Sequence, residues 1–86
     1  MSMLKQVFGS KYNDEQLVAA VEQTIADDPL LQDTTAIMVA SKKGIIELTG
    51  KMRSDREKER TESIIRTKLN TANLEFDQIV NHITVA

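Results

Sequence analysis

Residues 42–50 read Lys-Lys-Gly-Ile-Ile-Glu-Leu-Thr-Gly (KKGIIELTG), and the reading of this stretch decides the fold. Ile46, Leu48 and Gly50 alternate with Ile45, Glu47 and Thr49. A period of two with β-branched residues marks a strand that has one apolar face. Just upstream, Ile37 and Val39 alternate with Ala36, Met38 and Ala40 in the same way. Lys43-Gly44 stands between the two runs, and glycine supplies the free φ that a tight hairpin turn needs. The two runs are therefore expected to pair as a β-hairpin. One face is apolar and the other mixed, so helices should cover one side only.

Helical patterns flank the hairpin. Asn13 precedes Gln16 by three residues, as in a capping box, and Asp14 and Glu15 fall in the first turn, where the helix dipole favours acids. Leu17, Ala20, Val21, Thr24 and Ile25 then draw one apolar stripe. Pro29 ends that helix. The acidic pair Asp27-Asp28 at its end reads as a solvated turn, and Leu30 and Leu31 return the chain to the core. Beyond the hairpin, Ser54 and Glu57 form a second capping box, which opens a helix to about Leu69. Its inward stripe is Thr61, Ile64, Ile65, Lys68 and Leu69, while its first two turns are nearly all charged and should project beyond the core.

Asn70-Thr71-Ala72-Asn73 breaks the second helix. The last strand, QIVNHITV, places Ile79, Asn81, Ile83 and Val85 on one face and Val80, His82 and Thr84 on the other. The order α-β-β-α-β predicts an α+β two-layer sandwich, with two helices on one face of a three-stranded mixed sheet. If the strands joined through the second helix run parallel, that crossover should be right-handed. Residues 1–12 are an arm, flexible or a short amphipathic piece with Met3, Leu4, Val7 and Phe8 on one face; residues 13–86 are the domain. The uncovered sheet face would carry Met38, Ile45 and Val80 beside Glu47 and Thr49.

The chain has 86 residues, suited to one domain with an aliphatic core, since its aromatics are only Phe8, Tyr12 and Phe76. The net charge of −2 speaks against non-specific nucleic-acid binding. Charge is uneven, however. Residues 42–68 hold nine basic and five acidic residues, a net of +4, which leaves −6 for the remainder. The mixed run reads first as a solvated helix face with i,i+4 pairs. Its functional reading is a surface for anionic lipid or another acidic partner, carried by Lys51, Arg53, Arg56, Lys58 and Arg60.

Chemistry has little to work with. The chain has no cysteine, which excludes disulfides and thiolate metal sites. His82 is the only histidine and reads as a surface strand residue. No serine has a histidine partner at triad spacing, and no phosphate-cradling glycine loop is present. No catalytic, cofactor or metal residue is assigned. The N-terminus lacks the apolar run of a secretory signal, and no stretch is long enough to span a bilayer. As written the chain is expected in the cytoplasm, or in the periplasm if a signal has been removed.

Ile37-x-Val39 followed by Gly44-x-Ile46-x-Leu48-x-Gly50 resembles the central signature of the BON domain family. Ile79-x-Asn81-x-Ile83-x-Val85 resembles that family's closing pattern, and the first helix with Leu17, Val21 and Ile25 fits as well. Gly44, Ile46, Leu48, Gly50 and Asn81 carry the structural motif. One departure stands before the last strand: the family's usual Gly-Val is Glu75-Phe76 here. The resemblance implies a non-enzymatic binding module of stress- or envelope-related type, associating with phospholipid membrane surfaces or envelope proteins. A cytoplasmic protein–protein or self-association module is the alternative, and a potassium-ion sensing module is another. Gly50 is expected to let the second helix, or its entry, approach closely.

Overall fold

The computed structural model describes residues 11–31 and 37–85. The expected arm lies outside the described residues apart from Lys11 and Tyr12. The Lys43-Gly44 turn forms as the pattern requires. Lys43 takes φ +53° and Gly44 φ +82°, the left-handed pair typical of a two-residue hairpin loop. On either side run β1 (Met38–Lys42) and β2 (Ile45–Met52), antiparallel, with Lys42 opposite Ile45 and Met38 opposite Thr49. β3 (Gln78–Val85) pairs parallel to β2, from Ile45 opposite Gln78 to Met52 opposite Val85. The sheet order is β1-β2-β3, so the best-patterned stretch of the sequence becomes the central strand.

Two helices cover one face. α1 (Asp14–Asp27) precedes β1 and ends before a short 3₁₀ turn at Pro29–Leu31, and α2 (Asp55–Thr71) joins β2 to β3. Both start on side-chain caps. Asn13 Oδ1 accepts from the Gln16 N–H at 3.1 Å, and Ser54 Oγ from the Glu57 N–H at 3.2 Å. Glu57 reaches back one residue further than a capping box does, taking the Arg53 N–H at 3.0 Å. The buried core is aliphatic: Leu17 and Val21 from α1, Ile46, Leu48 and Met52 from β2, Ile65 and Leu69 from α2, Ile83 from β3, and Leu31. Burial of each large aliphatic side chain contributes roughly 1.5–3 kcal/mol, so this one layer of contacts dominates the fold's stability.

Lys68 departs from the expected inward stripe and is exposed. At about 100° per residue it lies about 60° around α2 from Ile65, at the flank of the buried face, where a long stem carries its ammonium to water. Thr61 is buried as expected, and its hydroxyl donates to the Glu57 carbonyl at 2.7 Å. Asp28 departs from the solvated-turn reading, being only 8% exposed. The chain turns at Pro29, and Arg60 of α2 meets the Asp28 carboxylate through Nη2 at 3.1 Å and Nε at 3.2 Å. A buried carboxylate needs such a partner.

The exit from α2 is a Schellman turn. Leu74 N–H donates to the Leu69 carbonyl at 2.9 Å, and Asn73 N–H to Asn70 at 3.2 Å, with Asn73 at φ +58°. Asn73 thus supplies the left-handed position. Among the described residues only Lys43 and Asn73 take positive φ without being glycine, so Glu75 needs no glycine's freedom.

Candidate functional site

The hairpin tip is gripped from three sides. Asp14, the first residue of α1, accepts from Ser41 Oγ at 2.7 Å, from the Lys43 N–H at 2.8 Å and from the Gly44 N–H at 3.0 Å. The Gly44 N–H, followed by the Ser41 hydroxyl, holds the Asp14 carboxyl below the usual carboxylate range. The Gly44 carbonyl accepts from the Asp77 N–H at 2.7 Å, which anchors the entry to β3. On the third side lies the Tyr12 ring: a Cβ placed on Gly44 would stand 2.6 Å from its carbons. The close approach expected at Gly50 therefore occurs at Gly44. Gly50 has a different reason to be glycine, since its φ is +145°. Its carbonyl accepts from Thr84 Oγ1 at 3.1 Å.

The opposite face of the sheet is not covered by either helix. The pairing register arranges it in rows: Met38, Thr49 and His82; Ala40, Glu47 and Val80; Lys42, Ile45 and Gln78. Met38 is 71% exposed. Lys42 and Lys51 lie on this face with Lys43 at the turn, and Glu47 is the acid among them. A depression of about 520 Å³ lies at the turn end, lined by Ala40, Ser41, Lys42, Lys43, Ile45 and Glu47.

The basic run does not form one patch. Lys51 ends on β2, Arg53 pairs with Glu57 at 3.2 Å, and Arg60 is held by Asp28. Arg56 and Lys58 both lie on α2, but two residues along a helix are about 200° apart around its axis. Arg56 is exposed and Lys58 is half-buried. The i,i+4 pairs expected of this run are present as Arg53–Glu57 and Glu62–Arg66.

Asn81 explains the closing pattern. Its Nδ2 donates to the Lys58 carbonyl at 3.2 Å and to Glu62 Oε1 at 3.5 Å, which ties β3 to α2. Its Oδ1 accepts from the Ile83 N–H at 3.1 Å. Alternate amides of a strand point to opposite sides. The Gln78 N–H is directed at the Gly44 carbonyl at 3.4 Å, on the β2 side, so Ile83, an odd number of residues later, points to the open edge. The family model for the BON domain matches residues 13–86.

The chain belongs to the BON domain family. Neither the curated proteins nor the solved structures offer a relative that matches it. The BON domain is a non-catalytic binding domain, and the motif residues of this one are scaffold. Ile46 and Leu48 are core, Gly44 and Gly50 hold positive φ, and Asn81 joins the two layers. The BON domain has a second hollow of about 590 Å³ beside the α2–β3 loop, where Arg66 sits 5.8 Å from the Phe76 ring and Lys11 5.2 Å from the Tyr12 ring. Glu75 and Asp77 line the same hollow, so its charge is mixed. Among the described residues no group of three or more His, Asp or Glu could hold a metal ion, and His82 is an exposed strand residue. No helix among them is long and apolar enough to cross a membrane.

The long-range partners were missed from sequence. Asp14 stands 27 to 30 residues from the groups it binds, and Asp28 stands 32 from Arg60. Both acids had an adequate local reading, and no local signal contradicts it.

Proposed function

We propose that this BON domain is a non-catalytic binding module that associates with the surface of anionic phospholipid membranes. The observation that carries the reading is the contrast of charge between α1 and the hairpin. α1 holds Asp14, Glu15, Glu22 and Asp27 with no basic residue. The hairpin and the end of β2, by contrast, hold Lys42, Lys43 and Lys51 against Glu47. An anionic leaflet attracts each lysine or arginine near its surface by about 1 kcal/mol, and that attraction fades over about 8 Å at physiological salt. A domain with one cationic side therefore has a preferred orientation even at a net charge of −2. Within the 51–60 run, Arg56 is exposed on α2, whereas Arg53 and Arg60 already hold carboxylates.

Co-sedimentation with vesicles of phosphatidylglycerol and phosphatidylcholine, against vesicles of phosphatidylcholine alone, tests the reading. Binding is expected to the anionic vesicles only and to fall with added salt. Failure to sediment with anionic vesicles at low salt refutes it. Self-association by extension of the sheet at β3 is disfavoured by Asn81, because its side chain already takes the Ile83 N–H that a partner strand would need.

A further inference from the structure

We infer that the uncovered face of the sheet, rather than the helix layer, is the side that lies against the anionic bilayer. The inference rests on the lipid reading above and gives it a location. Three observations point the same way. First, this face carries the most exposed large apolar side chain among the described residues, Met38 at 71%. Neither helix packs on this face, whereas a headgroup boundary offers such a side chain acyl chain to pack on. Second, the apolar residues are bracketed by cations. Lys42 and Lys43 close the turn end and Lys51 stands toward the other end of β2, so their stems can lie along the sheet while their ammonium groups reach phosphates. The hollow of about 520 Å³ between Lys42, Lys43 and Ile45 gives a phosphate and the first methylenes below it a place to sit.

Third, the acids are on the far side. α1 packs on the other face and carries Glu15, Glu22 and Asp27 there, while Asp14 is taken up at the turn by Ser41 and the Lys43 and Gly44 amides. If the helix layer docked instead, Glu15, Glu22 and Asp27 would approach the leaflet, and Arg53 and Arg60 would have to leave Glu57 and Asp28. With the sheet face down, Glu47 is carried toward the lipid, and the Arg53–Glu57 and Arg60–Asp28 pairs stay intact.

The chain has no tryptophan, so one introduced indole reports on one place. Met38→Trp should show a blue-shifted emission with phosphatidylglycerol vesicles, quenched by lipids brominated along the acyl chains. Ser63→Trp, on the exposed side of α2, should show neither. Lys42→Glu with Lys51→Glu should weaken co-sedimentation by about 25-fold or more, from about 1 kcal/mol per lysine. Far-UV circular dichroism of each variant checks that these exposed substitutions leave the fold intact. If the unaltered chain sediments with anionic vesicles while Met38→Trp emission stays fixed and the double variant binds as before, the inference is overturned and the lipid reading survives. A shift at Ser63→Trp alone would assign the contact to the helix layer. If the unaltered chain does not sediment, both fall together.

Discussion

Replacing Gly44 by alanine isolates the grip on the hairpin tip. Two separate costs arise. A Cβ at φ +82° costs about 1–2 kcal/mol through its contact with the following carbonyl. The same Cβ would stand 2.6 to 2.7 Å from three ring carbons of Tyr12, so the ring must move, at the roughly 1–3 kcal/mol typical of overpacking. The sum, about 2–5 kcal/mol, is a large part of what a domain of this size has to lose. In a Tyr12→Ala background the second cost vanishes and Gly44→Ala should cost only about 1–2 kcal/mol. The two sites should therefore couple by about 1–3 kcal/mol in a double-mutant cycle measured by urea denaturation. Should Gly44→Ala alone be unfolded without urea, recovery of the fold in the double mutant carries the same meaning. An equal cost of Gly44→Ala in both backgrounds would refute the ring contact.

Asn81→Ala should cost about 1–2 kcal/mol, because it removes the bond to Lys58 and bares the Ile83 amide; hydrogen exchange at Ile83 should quicken, and unchanged exchange would contradict the role given to Asn81. Gly50→Val places a β-branched residue at φ +145° and should destabilise by about 1–3 kcal/mol in urea, while full stability would mean that this backbone is not strained. The Asp14 carboxyl binds its proton less readily in the fold than at its ordinary value of 3.8. Its contribution is therefore complete above that pH and lost as the pH falls through the lower folded value. The melting temperature of the unaltered chain should exceed that of Asp14→Asn at neutral pH, with the gap closing in acid; a gap independent of pH would count against the clamp.

Much of the fold is legible because its signals are local. Lys43-Gly44 declares its turn, Asn13 and Ser54 declare their caps, and the alternation of Ile46 and Leu48 against Glu47 and Thr49 declares both the strand and its buried side. What is not legible depends on closure of the chain. Asp14 is a good first-turn acid whether or not Ser41 and Gly44 ever arrive, and Asp28 is a good turn residue until Arg60 swings over it. Gly44 reads as the turn glycine and Gly50 as the one that permits a close approach, yet it is Gly44 that meets a ring from another segment, while Gly50 answers to its own φ. The uncovered face was visible as the alternate set Met38, Ile45 and Val80. The basic run was misleading as a patch because neighbours in sequence, such as Arg56 and Lys58, point to different sides of a helix.

The hairpin tip also bears on the order in which the molecule assembles. α1 and the β1–β2 hairpin can each form from nearby residues, on a timescale of microseconds. Their junction cannot, because Tyr12, Asp14, Gly44 and Asp77 come from three distant parts of the chain and meet at one turn. The entropy of closing those loops is spent before any of the bonds forms, which places the tip late on the folding route. In the reverse direction, release of β3 frees the Gly44 carbonyl and loosens the turn that Asp14 holds. The Gly44 and Asp77 amides should then exchange with solvent together, in a single opening of the whole sheet rather than by fraying at either end.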